Sequence, residues 1–320
     1  MKRVLVCEYL SAGGRLTAGE AASAELLAMG TSMRDAIVAD LLRPGIYAVT
    51  VATCAQASPV PAPAAPVLPR AAESVVEFVA RQADLHDAVW VVAPETDGLL
   101  SQLQRCVDPA RWLGCNAATI RLASAKRATL LHLAKAGIAT PLAFEHAPEI
   151  RRWVVKPDDG AGAVDTRVHG SADAAWDDWT QRSRGGCAMA IEPWVEGEAL
   201  SLSLLCSAKR TELLSVNRQR LSIDADGWLM YGGVEVNVLP LTDARGALLA
   251  ALARRVGRAM PGLRGFVGID LVWHAQRGPV LVEVNPRLTC AYVGLSDSLG
   301  RNLAAEVIDA HAQEAVHGKA

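Results

Sequence analysis

The rhythm of apolar and polar positions changes once along this chain, near Pro141. Before that point, runs of continuous apolar residues alternate with stretches of helical period. Val4 to Cys7 is short, apolar and β-branched, as a strand covered on both faces would be, and after Glu8 it opens into the turn Ser11-Ala12-Gly13-Gly14. Between residues 20 and 42 the apolar side chains Leu26, Met29, Met33, Ile37 and Leu41 fall at spacings of three and four, one face of a helix, and Pro44-Gly45 ends it. Tyr47–Val51 reads as a second strand. The five prolines from Pro59 to Pro69 exclude a helix or a central strand, so this stretch is expected to be a surface excursion before a helix over Glu73–Gln82. Ala88–Ala93 is a buried strand, and Pro94-Glu95-Thr96-Asp97-Gly98 follows it at the end where open parallel sheets place ligands.

A helix is expected from about Ala118 to Ala136, stopped by Gly137. Beyond Pro141 short strands outnumber helices: Trp153–Lys156, Met189–Glu192, Leu202–Cys206, Leu213–Val216, Val236–Leu239, Phe266–Trp273 and Val280–Asn285. A helix over 246–260 precedes the longest hairpin. The expected architecture is an α/β unit over 1–114 followed by an α+β module with antiparallel sheets, divided into 115–190 and 191–320.

Composition narrows the function. Lys and Arg number 32 against 34 Asp and Glu, without a long basic run, so nothing supplies the counterion release that drives nucleic-acid binding. The 7 cysteines are scattered and never spaced C-x-x-C, which disfavours both a disulfide framework and a cysteine zinc site. The first apolar run is too short for a signal sequence, and no stretch is long enough to span a membrane. A cytoplasmic protein is expected.

Candidate chemistry concentrates in residues 265–287. Closing the hairpin with His274 opposite Pro279 puts Asp270 across from Glu283, and Asn285 falls on the same face as Glu283 because strand side chains repeat every second residue. Two carboxylates and an amide oxygen amid Val267, Ile269, Leu281 and Val284 make a hard oxygen set suited to Mg²⁺. A solvated sheet face would explain the charges but not their apolar flanks. Upstream, the Trp153–Lys156 strand ends in a lysine and runs into a loop bearing Gly160 and Gly162. Glycines admit backbone N–H groups close to phosphate oxygens and Lys156 brings a point charge, although an ordinary hairpin turn fits the same residues. In Ile191-Glu192-Pro193-Trp194-Val195-Glu196-Gly197-Glu198 a strand leaves its sheet at a proline, a hinge able to offer backbone groups to an adenine edge. The spacing G-x-G-x-x-G is absent at Gly13-Gly14, against dinucleotide binding there.

In this order, Lys126, Lys156 with its glycine loop, the Glu192–Glu198 hinge and Asp270…Glu283-x-Asn285 resemble the ATP-grasp superfamily of carboxylate–amine ligases, over roughly residues 115–310. The resemblance implies that Lys126 and Lys156 contact ATP phosphates with Gly160 and Gly162, and that Glu192, Trp194 and Val195 frame the adenine. It further implies that Glu198 holds the ribose, that Asp270, Glu283 and Asn285 hold Mg²⁺ (Mn²⁺ being able to substitute), and that Arg287 stabilises the phosphoryl group or substrate. Ser124-Ala125 stands before Lys126 where many members have an aspartate. Gly268 stands where some ligases carry an arginine, a charge that Arg218 or Arg220 is expected to supply instead. Glu8-Tyr9-Leu10-Ser11-Ala12-Gly13-Gly14 and Asn217-Arg218-Gln219 are similar to the tyramine–L-glutamate ligases of methanofuran-type cofactor synthesis. The implied reaction joins a carboxylate and an amine through an acyl phosphate, with small-molecule partners and a homodimer within the family's range. Other amino-acid or peptide substrates, and a non-catalytic nucleotide-binding regulator, remain open at this point. No general base is named by the residues; His132, His146, His169 and His274 qualify by type alone.

Overall fold

A strand as apolar as Val4–Cys7 needs cover on both faces, and it obtains it inside a parallel sheet. The computed structural model describes residues 1–15, 20–160 and 162–317. In it β1 (Lys2–Glu8), β2 (Tyr47–Ala52), β3 (Ala65–Val67) and β4 (Ala88–Val92) pair all-parallel in the order β3-β2-β1-β4. On one face α1 (Glu20–Leu42) lays Met33, Ile37, Val38 and Leu41 over Val4, Val6, Val49 and Val51. On the other, α2 (Val75–Ala83) and α3 (Leu99–Arg105) bring Phe78, Val79, Leu100 and Leu103 against Leu5, Cys7, Val89 and Val91. Fully burying each such side chain stabilises the fold by about 1.5–3 kcal/mol.

Several boundaries differ from expectation for local reasons. The second helix begins after Ser74, whose hydroxyl accepts from the Glu77 N–H while the Glu77 carboxylate accepts from the Ser74 N–H. The proline-rich excursion contributes β3, an edge strand with Pro66 opposite Val51, a place where a missing donor is tolerated. The helix expected over 118–136 is two helices, α4 (Ala117–Ala123) and α5 (Lys126–Lys135). Ser124 Oγ bonds back to the Ile120 carbonyl at 2.8 Å, and the N–H groups of Lys126 and Arg127 go instead to the carbonyl and carboxylate of Asp158, at 2.9 and 2.8 Å. A residue from a distant loop thus satisfies the open donors of α5.

Next, β5 (Trp153–Pro157), β6 (Arg167–His169) and β7 (Met189–Pro193) form an antiparallel sheet in the order β6-β5-β7, against which α6 (Ala172–Arg184) packs. Neither β6 nor α6 is signalled by the periodicity above. The larger antiparallel sheet contains β8 (Glu198–Cys206), β9 (Thr211–Ile223), β10 (Leu229–Glu235), β11 (Gly265–His274) and β12 (Gly278–Asn285), in the order β10-β9-β8-β11-β12. No strand forms at Val236–Leu239: β10 ends at Glu235, and Asn237 turns to φ 57° while its N–H reaches Asn217 Oδ1 at 3.0 Å.

One face of this sheet is apolar. Leu200, Leu202, Leu204, Val267 and Ile269 pack there beneath Leu249, Leu252 and Val256 of α7 (Ala244–Ala259). The opposite face presents the buried small polar residues Ser201, Ser203, Ser215 and Asn217, bonded to one another, and with them Asp270. The chain closes with α8 (Leu295–Leu299) and α9 (Leu303–His317), whose Leu295, Leu303 and Val307 join the core beside β1 and β4. Among the described residues no helix is long and apolar enough to cross a membrane, and the cysteines are free thiols.

Candidate active site

Asp270 stands opposite Glu283, but not by the register expected from the turn. Pro279 pairs with Trp273 and His274 with Gly278, one residue off, and a bulge between the pairs Asp270:Glu283 and Leu271:Leu281 leaves Val282 extra. A bulge sets two residues against one and re-aims the strand, and here both Val282 and Glu283 line one cavity. Two amides grip Asp270: Asn285 Nδ2 donates to Oδ2 and Gln219 Nε2 to Oδ1, each at 3.0 Å. Burial, and then the neighbouring Glu283 carboxylate, push the Asp270 carboxyl up to about 7. Glu283 is in turn paired with Lys126 Nζ at 3.0 Å.

The second wall is built by the small sheet. Lys156 Nζ donates to Glu192 Oε1 at 2.6 Å, a pair buried at both ends. Lys126, first residue of α5, also donates to the Gly160 carbonyl. Burial opposes the charge on Lys126, but Glu283, with Glu95 and Asp158, outweighs it and raises its affinity for the proton. Asp158 caps α5, and the adjacent Asp159 carboxylate accepts from the Asp97 N–H at 2.8 Å, so the loop is tied to the first domain as well. Gly162, at φ 68°, takes the left-handed conformation that a glycine adopts without cost. At the hinge, Gly197 lies where a Cβ would collide with the Trp273 carbonyl, which explains the glycine and brings the hinge against β11.

These walls enclose a cavity of about 450 Å³. Lys126, Lys156, Gly160, Gly162, Glu192, Trp194, Val195, Asp270, Glu283, Asn285 and Arg287, all named from sequence, line it together. Three others do not. Glu198, expected at the ribose, lies on the α7 face of the sheet, ion-paired with Arg245 at 2.6 Å and Arg218 at 3.0 Å, away from that cavity. Strand parity sends Arg218 and Arg220 away from the cavity as well, and the intervening Gln219 faces it. At Gly268 a Cβ would sit 2.6 Å from Thr289 Cγ2, so a side chain there would require Thr289 to shift. None of the described histidines lines the cavity; His169 is paired with Asp178, and His132 with the Ala259 carbonyl.

Sequence reasoning missed Gln219, which the alternation of Asn217-Arg218-Gln219-Arg220 could have singled out once one face was known. It also missed Tyr231, whose hydroxyl burial holds in its protonated form, and Glu95 as the partner of Arg287. Among the described residues no three His, Cys, Asp or Glu side chains form a metal cluster; the oxygen set is two carboxylates and an amide.

A family model described as "ATP-grasp domain" matches residues 123–291, more than half of the chain. The chain belongs to the ATP-grasp family. A second family model, described as "pre ATP-grasp 3 domain", matches residues 47–120 of this ATP-grasp protein. Among solved structures, an ATP-grasp superfamily protein from Archaeoglobus fulgidus superposes with a TM-score of 0.70 at 20% identity, covering 97% of this chain and 88% of that one. The VanG D-Ala:D-Ser ligase from Enterococcus faecalis gives 0.67 at 12% identity over 97% and 99%. An L-amino acid ligase from Bacillus licheniformis gives 0.66 at 15% identity over 96% and 72%. A search of the curated proteins returned no match. The fold is shared with these two ligases.

Proposed function

We propose that this ATP-grasp protein activates a substrate carboxylate as an acyl phosphate at the expense of ATP and passes it to an amine, forming an amide and releasing ADP and phosphate. The observation that carries this reading is the convergence on one cavity of two buried lysines, Arg287 and the Asp270–Asn285–Glu283 oxygens. Lys126 and Lys156 would neutralise phosphate oxygens, and Trp194 and Val195 would bound the adenine. Arg287 would steady the transferred phosphoryl group or the carboxylate. Catalysis of this kind rests on positioning and charge neutralisation rather than on a covalent nucleophile.

The donor set fits Mg²⁺. Two adjacent carboxylates, one of them pushed up to about 7 by burial and by its neighbour, make a place where a divalent cation is favoured. Asp270, Glu283 and the Asn285 carbonyl oxygen would hold it; with Asn285 Nδ2 committed to Asp270, its oxygen is left for the metal. The ion supplies charge stabilisation for phosphoryl transfer.

The finer assignment is L-glutamate, activated at its γ-carboxylate, and tyramine as the amine, in cofactor synthesis for one-carbon metabolism in the cytoplasm. The residues similar to such ligases at 8–14 and 217–219 support it. We divide the chain into a pre-ATP-grasp domain over 1–114, a small subdomain over 115–190 and a metal-bearing subdomain over 191–320.

The test is incubation with MgATP, L-glutamate and tyramine, expected to yield ADP, phosphate and a γ-glutamyl amide. Hydroxylamine in place of tyramine should trap a hydroxamate. AMP as product overturns the ligase mechanism, whereas ADP formed only with another acid and amine removes the glutamate–tyramine pair alone.

A further inference from the structure

The segment after the phosphate loop is held in a shape it would not keep alone. Gly162, Ala163 and Asp165 have φ of 68°, 62° and 53°. A left-handed conformation is costly for a residue with a Cβ and persists only where neighbours over-determine it. Here the neighbours are α6, at Asp165, and the tip of the β9–β10 hairpin of the large sheet, at residues 166–168. The Leu229 N–H donates to the Thr166 carbonyl at 2.9 Å, and the Val168 N–H to the Gly227 carbonyl at 2.8 Å. Arg167 Nε donates to the Asp226 carbonyl at 2.9 Å, while Arg182 Nη2 donates to the Asp165 carbonyl at 2.6 Å. Both guanidinium groups also lie against the Trp228 ring, 5.2 and 5.8 Å from its centre. The tip is itself tied, with Asp224 Oδ1 accepting from the N–H groups of Asp226 and Trp228.

Gly162, Ala163, Val164 and Thr166 line the cavity; Trp228 does not. We propose that Trp228 is a positioning residue for the nucleotide. Acting through Arg167 and Arg182, it holds residues 162–166 in the conformation that receives the ATP phosphates. This rests on the nucleotide reading above. Leu229 and Tyr231, next along the same strand, line the cavity too, so one hairpin shapes both the phosphate segment and the wall beyond Asp270.

The test measures MgATP binding to the full-length protein by calorimetry, with hydrogen exchange at residues 162–168 as the second readout. Trp228→Ala should weaken MgATP binding about tenfold and speed exchange at 162–168 without changing it in β1 and β4, and Trp228→Phe, which keeps a ring for the cations, should restore most of the affinity. Wild-type affinity and unchanged exchange in Trp228→Ala overturn the proposal. Should that variant lose protection throughout, Arg182→Gln decides. It removes one hand of the clasp and should weaken binding severalfold; wild-type affinity there overturns the proposal equally. If the wild type itself fails to bind MgATP, the nucleotide reading falls and this one with it. Binding by the wild type that Trp228→Ala leaves intact removes only the role of Trp228.

Discussion

Glu95, in the loop that follows β4, accepts from both Nε and Nη2 of Arg287 at 3.0 Å each, joining positions 192 residues apart. The pair is buried, with side-chain exposures of 3% for Glu95 and 13% for Arg287. Burial opposes the Arg287 charge and Glu95 more than offsets it. A two-pronged grip fixes the plane of a guanidinium as well as its place. The remaining donors of Arg287 are therefore aimed by the first domain.

Glu95→Ala should leave that guanidinium buried without its partner, at a cost of about 3–5 kcal/mol. Denaturant unfolding should register the loss, and acid-dependent ADP release should fall while MgATP affinity changes little. Unaltered turnover in a folded variant would show that Arg287 needs no help from Glu95.

Lys156→Met should reduce ATP turnover by at least about 100-fold, since the lost charge acts on developing phosphate charge. The substitution also strands buried Glu192, so it should be compared with the double variant Lys156→Met, Glu192→Gln. The double variant should recover stability in thermal unfolding without recovering ADP release.

Asp270 sets a pH signature. Its carboxyl holds a proton to about 7 when folded, against an ordinary value of 3.8. Between those limits the native state binds more protons than the unfolded one, so this group's contribution is full below 3.8 and is lost as pH rises through about 7. The stability of the wild type relative to Asp270→Asn should therefore decline from acid to neutral pH in urea titrations. Mg²⁺ competes for the same oxygens, so its apparent affinity should rise with pH by up to about tenfold per unit and level off above about pH 7. A flat Mg²⁺ profile over this interval would remove Asp270 from the metal set.

Strand parity makes the fourth prediction. Arg218→Ala and Arg220→Ala should keep turnover within about twofold, as surface changes away from a site usually do. Gln219→Ala, which releases one oxygen of Asp270, should raise the Mg²⁺ concentration needed for half-maximal ADP release. The reverse order of effects would place the arginines back in the site.

Much of this protein is legible in its residues. The apolar runs of β1 and β4 announce two covered faces, and the three-and-four spacing over 20–42 marks α1 to its last residue. Glu283 and Asn285 share a face because strand side chains repeat every second residue. Those features arise from spacing within one segment, and spacing is written in the sequence. What the tertiary structure decided lies between segments. A bulge at Val282 was needed to bring Asp270 opposite Glu283 after the turn closed one residue out of step. Only packing against α7 settled which face of β8 and β9 is interior, turning Glu198, Arg218 and Arg220 away and Gln219 inward. The pairings of Glu95 with Arg287 and of Asp158 with α5 join loops far apart in the chain. Their partners are chosen by where whole sheets and helices come to rest, since burying the apolar faces fixes the elements in space and the charged groups then pair with whatever that arrangement brings within reach.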